Sequence, residues 1–144
     1  MPEQDCVFCA IIAGQVAASR VHEDDATVVF PDLRQPMTAH LLVVPKQHVE
    51  MIYDLAPEQA ARLMQTVVLT ARAMRRTLRL EGLSIWQSNG SGAHQEVPHV
   101  HVHLLVRQPD DGLLRVYSTP PSYPDDAALE RLAATVRAGF AGES

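Results

Sequence analysis

The chain has 144 residues, a formal net charge of −5, and 47% apolar against 20% charged residues. That length suits one domain able to bury a substantial core. No apolar run approaches the ~20 residues that a membrane-spanning helix needs. The start, "MPEQDCVFC", lacks the basic and long apolar regions of a secretory leader. The acidic balance argues against a nucleic-acid polymer as the main partner, but it leaves a single nucleotide open. A cytoplasmic address is the expectation.

In chain order, "CVFCAIIAGQ" reads as a short helix stopped near Gly14. "TVVFPD" and "HLLVVP" are apolar, strand-like runs separated by the turn-prone "LRQPMTA". The second run is apolar almost throughout, as in a strand covered on both faces. A long helix starts near Asp54 with Pro57 in its first turn. Its apolar stripe at helical period is Ala60, Leu63, Met64, Val67, Ala71, Met74 and Leu78. Gly82 closes that element, and "LSIWQS" is the next strand. The glycine-containing loop "NGSGAH" leads into "VPHVHVHLLVR", read as a strand. The tail "STPPSYP" cannot continue a sheet. A second helix follows, capped by Asp125 or Asp126, with Leu129, Leu132, Ala133, Val136 and Phe140 on its apolar face. Strands, a helix, then strands define an α+β fold with a mostly antiparallel sheet.

The two cysteines, Cys6 and Cys9, are spaced C-x-x-C. A structural disulfide is not expected in a reducing compartment. A pair of small core residues, a redox pair and half of a metal site all remain open.

Three of the seven histidines alternate along "HVHVH". Side chains alternate across a strand, so His99, His101 and His103 share one face, about 6–7 Å apart at each step. Val100, Val102 and Leu104 turn to the other face, into the core. Imidazole is both a common metal ligand and a nucleophile or proton carrier. The surroundings favour chemistry. His40 opens the strand "HLLVVP", His48 follows it, and Asp32 ends "TVVFPD". Backbone N–H groups of the "NGSGAHQ" loop can face phosphate oxygens. Asp32 has an alternative role as a turn carboxylate ahead of Pro36. His22 and His94 read as surface side chains.

The pattern His-φ-His-φ-His-φ-φ resembles the signature of the histidine triad (HIT) family. The likeness extends to "CVFCAIIAGQVAASRVHEDDATVVFPDL", "HLLVVPKQHV" and "NGSGAHQEVPHVHVH", in the family's order. It covers roughly residues 6–107 and implies a HIT domain, taken as 6–115; the proline-rich segment and C-terminal helix, 116–144, are expected to pack on the same domain. It implies a hydrolase or nucleotidyl transferase that cleaves at the α-phosphate of a purine nucleotide conjugate, a phosphoramidate or a dinucleoside polyphosphate. His101 would form a covalent nucleotidyl-histidine, His103 would help protonate the leaving group, and His40 would orient the nucleophile. Asp32 would take the ribose hydroxyls, with Ser88, Asn89 and Gln95 at the phosphates. Many relatives carry Asn at the Ser88 position and Gly at the His94 position, so the phosphate contacts differ here. The related uridylyltransferases have Gln at the His103 position, and the histidine here tilts the reading towards hydrolysis. In a bacterial-type branch the residues matching Cys6, Cys9, His48 and His99 bind one zinc, a closed and therefore structural site. Relatives are usually homodimers. A nucleotide-binding regulatory module with little turnover, or a zinc protein whose histidine row is only structural, are the alternatives.

Overall fold

The computed structural model describes residues 3–36, 38–113, 117 and 119–140. The chain divides into two compact units, Met1–Leu113 and Leu114–Ser144. The first carries α1 (Val7–Ile12), β1 (His22–Glu23), β2 (Thr27–Pro31), β3 (His40–Pro45), α2 (Pro57–Thr77), β4 (Gly82–Trp86) and β5 (Val102–Arg107). The five strands form one antiparallel sheet in the order β1-β2-β3-β5-β4, so the fold is α+β as expected. No described helix is long and apolar enough to cross a membrane.

Period-two alternation splits the sheet into two packed faces. Val29, Val43, Val102, Leu104 and Val106 meet Leu63, Val67 and Met74 of α2 in one core. On the opposite face Val28, Phe30, Leu42 and Val44 pack with Cys6, Phe8 and Ile11 of the N-terminal segment. This second layer has a consequence for the histidines. They are on the face opposite Val102 and Leu104, but that face is covered, and His99, His101 and His103 are all buried.

The long helix begins at Pro57, and the Gln59 side chain accepts from the Ala56 N–H at 3.0 Å. Its buried stripe is Leu63, Thr66, Val67, Thr70 and Met74. Met64, Ala60 and Leu78, expected on that stripe, are exposed instead. The stripe is narrower and rotated because two threonines take core positions. Thr66 can do so because its hydroxyl bonds that of Thr27 at 2.9 Å, which removes the cost of burying an unpaired hydroxyl.

Residues 97–107, read as one strand, enter the ladder only at Val102. Pro98 has no N–H to give. The His99 N–H closes a tight turn on the Val97 carbonyl at 2.8 Å, and the Val100 N–H bonds the Val49 carbonyl at 2.7 Å. The chain therefore leaves the sheet just where His99 and His101 stand, while His103 sits in β5.

In the second unit α3 spans Asp126–Phe140. Asp125 caps it, its carboxylate accepting from the Ala128 N–H at 2.7 Å.

Candidate functional site

His101 has its tautomer set by its surroundings. Its Nδ1 lies 2.7 Å from the His99 carbonyl oxygen. A carbonyl only accepts, so Nδ1 carries the proton and Nε2 of the neutral ring carries the lone pair. Burial favours the uncharged form and pushes the His101 pKa down, only partly opposed by its own bond to the carbonyl. Phe8 of α1 presses edge-on against the ring, with centroids 5.1 Å apart. The result is a neutral imidazole with a directed, unshared electron pair.

His103 and His40 form a chain beside it. His40 Nε2 and His103 Nδ1 are 2.9 Å apart, and His40 Nδ1 lies 3.8 Å from Asp32 Oδ2. His40 thus pairs with His103, while His101 is oriented by a backbone carbonyl. Burial, with His101 and His40 nearby, pushes His103 down to about 3. Burial also lowers His40, against the pull of the Asp32 carboxylate. For Asp32, burial acts upwards but is outweighed by hydrogen bonds from the Arg34 backbone and guanidinium, so its carboxyl stays below the usual range. The Arg34 N–H reaches Oδ1 at 2.8 Å, which is the turn role; Oδ2 faces His40. Asp32 therefore serves the turn with Oδ1, while Oδ2 faces His40 and also accepts from the Arg34 guanidinium at 3.4 Å.

The loop residues divide. Gln95 uses its carbonyl oxygen on the Gly90 N–H at 2.7 Å and its amide on the Glu50 carbonyl at 2.7 Å. Asn89 accepts from the Ile52 N–H at 2.8 Å. Both side chains are loop staples in this geometry. Among the described residues no hydrogen bond engages the Ser88 hydroxyl. His94 is exposed and left-handed, with φ of 58°, which is the conformation that a glycine favours.

A second constellation lies on the other side of His99. Cys6, Cys9, His48 and His99 each turn one donor atom into a single point, all within 4.8 Å of one another. His99 Nε2 donates to the Pro45 carbonyl at 2.8 Å, so its lone pair is on Nδ1, which faces the cluster. The His48 and His99 Nδ1 atoms are 3.3 Å apart, and three of the nitrogen–sulfur distances, Cys6–His99, Cys9–His48 and Cys9–His99, are 3.3–3.5 Å. A tetrahedron with ordinary zinc–nitrogen and zinc–sulfur bonds has edges of about 3.3 and about 3.6 Å. The donor set and its spacing fit a four-coordinate zinc. Among the described residues His48 Nε2 is buried without a partner, so Nδ1 is left as the atom that anchors this ring. Burial and the neighbouring Cys6 push the Cys9 thiol up to about 12, and metal binding releases such protons from coordinating thiols. Asp32, His40 and His103 also converge, but the short nitrogen–nitrogen contact there is that of a hydrogen bond.

Two features escape the sequence. Trp86 of β4 pairs in register with His103, and the two rings stack 4.5 Å apart and 2° from parallel. Arg34 bridges from Asp32 to Glu96 of the loop, at 2.8 Å. Strand register is the missing information for Trp86, and the approach of two loops 62 residues apart in the chain for Arg34.

The HIT domain family model matches residues 13–110. Together with the geometry above, this match shows that the chain belongs to the HIT family. Among its relatives, "Protein hit" of Bacillus subtilis is 37% identical over 130 residues, covering 90% of this chain and 88% of that one. Adenosine 5′-monophosphoramidase hnt1 of Schizosaccharomyces pombe is 31% identical, covering 83% of this chain and 85% of its own. Among solved structures, a Zn-bound histidine triad family protein from Mycobacterium smegmatis superposes with a TM-score of 0.71 at 32% identity, covering 99% of this chain and 100% of that chain.

The buried histidines make stability depend on pH. His40, His101 and His103 all have folded pKa values below the ordinary 6.5. Below pH 6.5 the unfolded chain therefore binds more protons than the folded one, and stability falls as pH falls. This contribution is complete above 6.5 and declines steadily towards about 3, the His103 value. We predict that His103→Asn makes the loss between pH 6.5 and 4.5 shallower in urea titrations. Parallel curves for the two proteins would show that His103 is not held neutral by burial.

Proposed function

We propose that this chain is a nucleotide hydrolase, with nucleotidyl-transferase chemistry, that cleaves at the α-phosphate of a purine nucleotide conjugate. A nucleoside phosphoramidate or a dinucleoside polyphosphate is the substrate class. One observation carries the reading: the 2.7 Å bond from His101 Nδ1 to the His99 carbonyl leaves Nε2 as a preset nucleophile beside the His103–His40–Asp32 chain.

In the first half-reaction His101 Nε2 attacks the α-phosphorus and the bond to the leaving group breaks. The proton for that group comes from His103 Nε2, and His40 Nε2–H replaces it through the 2.9 Å bond to His103 Nδ1. His40 keeps its remaining proton on Nδ1, towards Asp32. The pair must therefore enter the step with one extra proton. Burial opposes that charge in the free site, and the negative phosphate of a bound substrate favours it. In the second half-reaction water attacks the phosphorus, returns its proton to the pair and releases His101. Splitting one displacement into two is the gain from covalent catalysis, and the loop holding Ser88, Asn89 and Gln95 borders the phosphates.

The adenosine 5′-monophosphoramidase name of a relative supports the substrate class. We predict that His101→Asn abolishes release of AMP from an adenosine phosphoramidate while AMP binding stays within about 3-fold. An acid-labile adduct should form on the wild type only. Turnover near normal in the variant would defeat the assignment. Asp32 is proposed to hold the ribose hydroxyls with Oδ2. In the same titrations Asp32→Asn should weaken AMP more than 2′-deoxy-AMP.

We propose zinc as the resident metal of Cys6, Cys9, His48 and His99. When bound it would cross-link the N-terminal segment to the end of β3 and to the turn before β5; with four protein ligands it has no open position for substrate. Purified protein should contain about one zinc per chain. Cys9→Ala should lower zinc content and melting temperature together. Protein prepared without chelators and free of zinc would overturn this.

A cytoplasmic homodimer completes the proposal. Met64, Val68 and Leu69 on α2 and Ile85 on the edge strand β4 are exposed apolar residues of the first unit, and a second copy would cover them. Light scattering should give the mass of two chains; a single-chain mass at micromolar concentration would refute it.

A further inference from the structure

Trp86 is the chain's only tryptophan, and a large aromatic ring at a half-buried edge-strand position needs an explanation. β4 is the last strand of the sheet. Trp86 and His103 are cross-strand partners, and such pairs place their side chains in direct contact. Their rings lie 2° from parallel with centroids 4.5 Å apart, and the indole also stacks on His40 at 5.4 Å and 28°.

The stack meets a mechanical need. An imidazole rotates about its terminal side-chain torsion in a broad well. The bond to His40 sets which edge of the His103 ring faces β3, but a single in-plane hydrogen bond leaves the plane free to tilt about that contact. A tilt moves Nε2, the atom that must meet the leaving group. The indole face removes this freedom by covering one side of the imidazole. Its π-system also favours the ring when it is cationic. The charged and titratable groups around His103 are His40 from β3, His101 from the turn before β5, Asp32 at the end of β2 and Arg34 beyond it. Of these, the His101 ring meets His103 edge-on, with centroids 4.7 Å apart at 63°, and the His40 ring lies beside it, 5.2 Å away at 29°; the indole is the surface that lies flat along the His103 ring, 2° from parallel.

We propose that Trp86 is a positioning residue for the leaving-group proton donor: its indole face holds the His103 ring plane so that Nε2 points at the atom that departs. This rests on the hydrolase reading above. It adds a dependence that the reading alone does not contain. The value of Trp86 should scale with how much the leaving group needs a proton.

The test compares Trp86→Leu and Trp86→Phe with wild type on two AMP conjugates. One is an alkylamine phosphoramidate, whose amine cannot leave without a proton. The other is a p-nitrophenyl ester, whose phenolate can. Trp86→Leu should lower kcat on the phosphoramidate about 10-fold or more, a part of what general acid catalysis supplies. On the ester kcat should stay within about 2-fold, KM should hold on both, and Trp86→Phe should restore most of the loss. The contact itself is read by proton NMR without substrate: the His103 ring protons should be shifted upfield by the indole ring current in wild type, and not in Trp86→Leu. An equal fall on both conjugates, no fall on the phosphoramidate, or ring protons unmoved by the substitution would overturn the proposal. A wild-type protein that turns over neither conjugate would overturn the hydrolase reading and this role with it. That result is told apart from failure of the Trp86 proposal alone, where the wild type is active.

Discussion

Both constellations depend on His99. Its ring donates from Nε2 to the Pro45 carbonyl, which puts the Nδ1 lone pair towards Cys6, Cys9 and His48. Its own carbonyl accepts from His101 Nδ1, which puts the second lone pair on His101 Nε2. One residue thus sets the tautomer of its own ring for metal binding and that of its neighbour for attack. The geometry is possible only because the chain leaves the β-ladder here. Inside a ladder the His99 carbonyl would be committed to a neighbouring strand. The tight turn after Val97 frees it for a side chain.

Burial then decides the chemistry of the row. On a wet surface three imidazoles would titrate near neutral pH and share their nucleophilic character with water. His99 and His101 under Phe8, and His103 against Trp86, are buried and held towards the neutral form. A neutral nucleophile is what His101 needs, whereas His103 needs a proton for its proposed task. The site resolves the conflict by position: His103 is joined through His40 to Asp32, the only carboxylate in that chain, while His101 is joined to an uncharged carbonyl. Burial lowers both rings, His103 to about 3, so the proposed donor gains its proton only when the negative phosphate of a bound substrate favours the charge.

Much of this was legible in the sequence. Alternation in "HVHVHLL" correctly predicts which residues enter the α2 core, because the pleat enforces it even where the ladder has not begun. The α+β order and the Asp125 cap follow from local rules of period and capping, whereas the long helix starts at Pro57 rather than near Asp54 and stops at Thr77, leaving Gly82 to open β4. Other features were not legible because they depend on partners distant in the chain. Met64 and Thr66 exchange places on α2 because Thr27, on another element, offers Thr66 a hydroxyl. Gln95 and Asn89 look like phosphate ligands by type, yet their amides close the loop onto residues 50–52. Trp86 reads as an ordinary strand aromatic until the β4–β5 register sets it against His103.

The loop makes the last point about how such a site is economical with polar groups. A turn that approaches a phosphate must expose backbone N–H groups without collapsing onto them. Gly90, at φ of 77°, takes a backbone conformation that side chains resist, and Gln95 holds its N–H and bonds back to the Gly90 carbonyl through its own, at 3.1 Å. His94 completes the bend in the left-handed region without glycine. That conformation costs a non-glycine residue roughly 1 kcal/mol or more, and the multiple bonds made by Gln95 are what over-determine it. The departure from glycine at this position is therefore carried by the loop's stapling, and it places an additional imidazole, exposed to solvent, at the rim of the loop that the proposed function assigns to the phosphates.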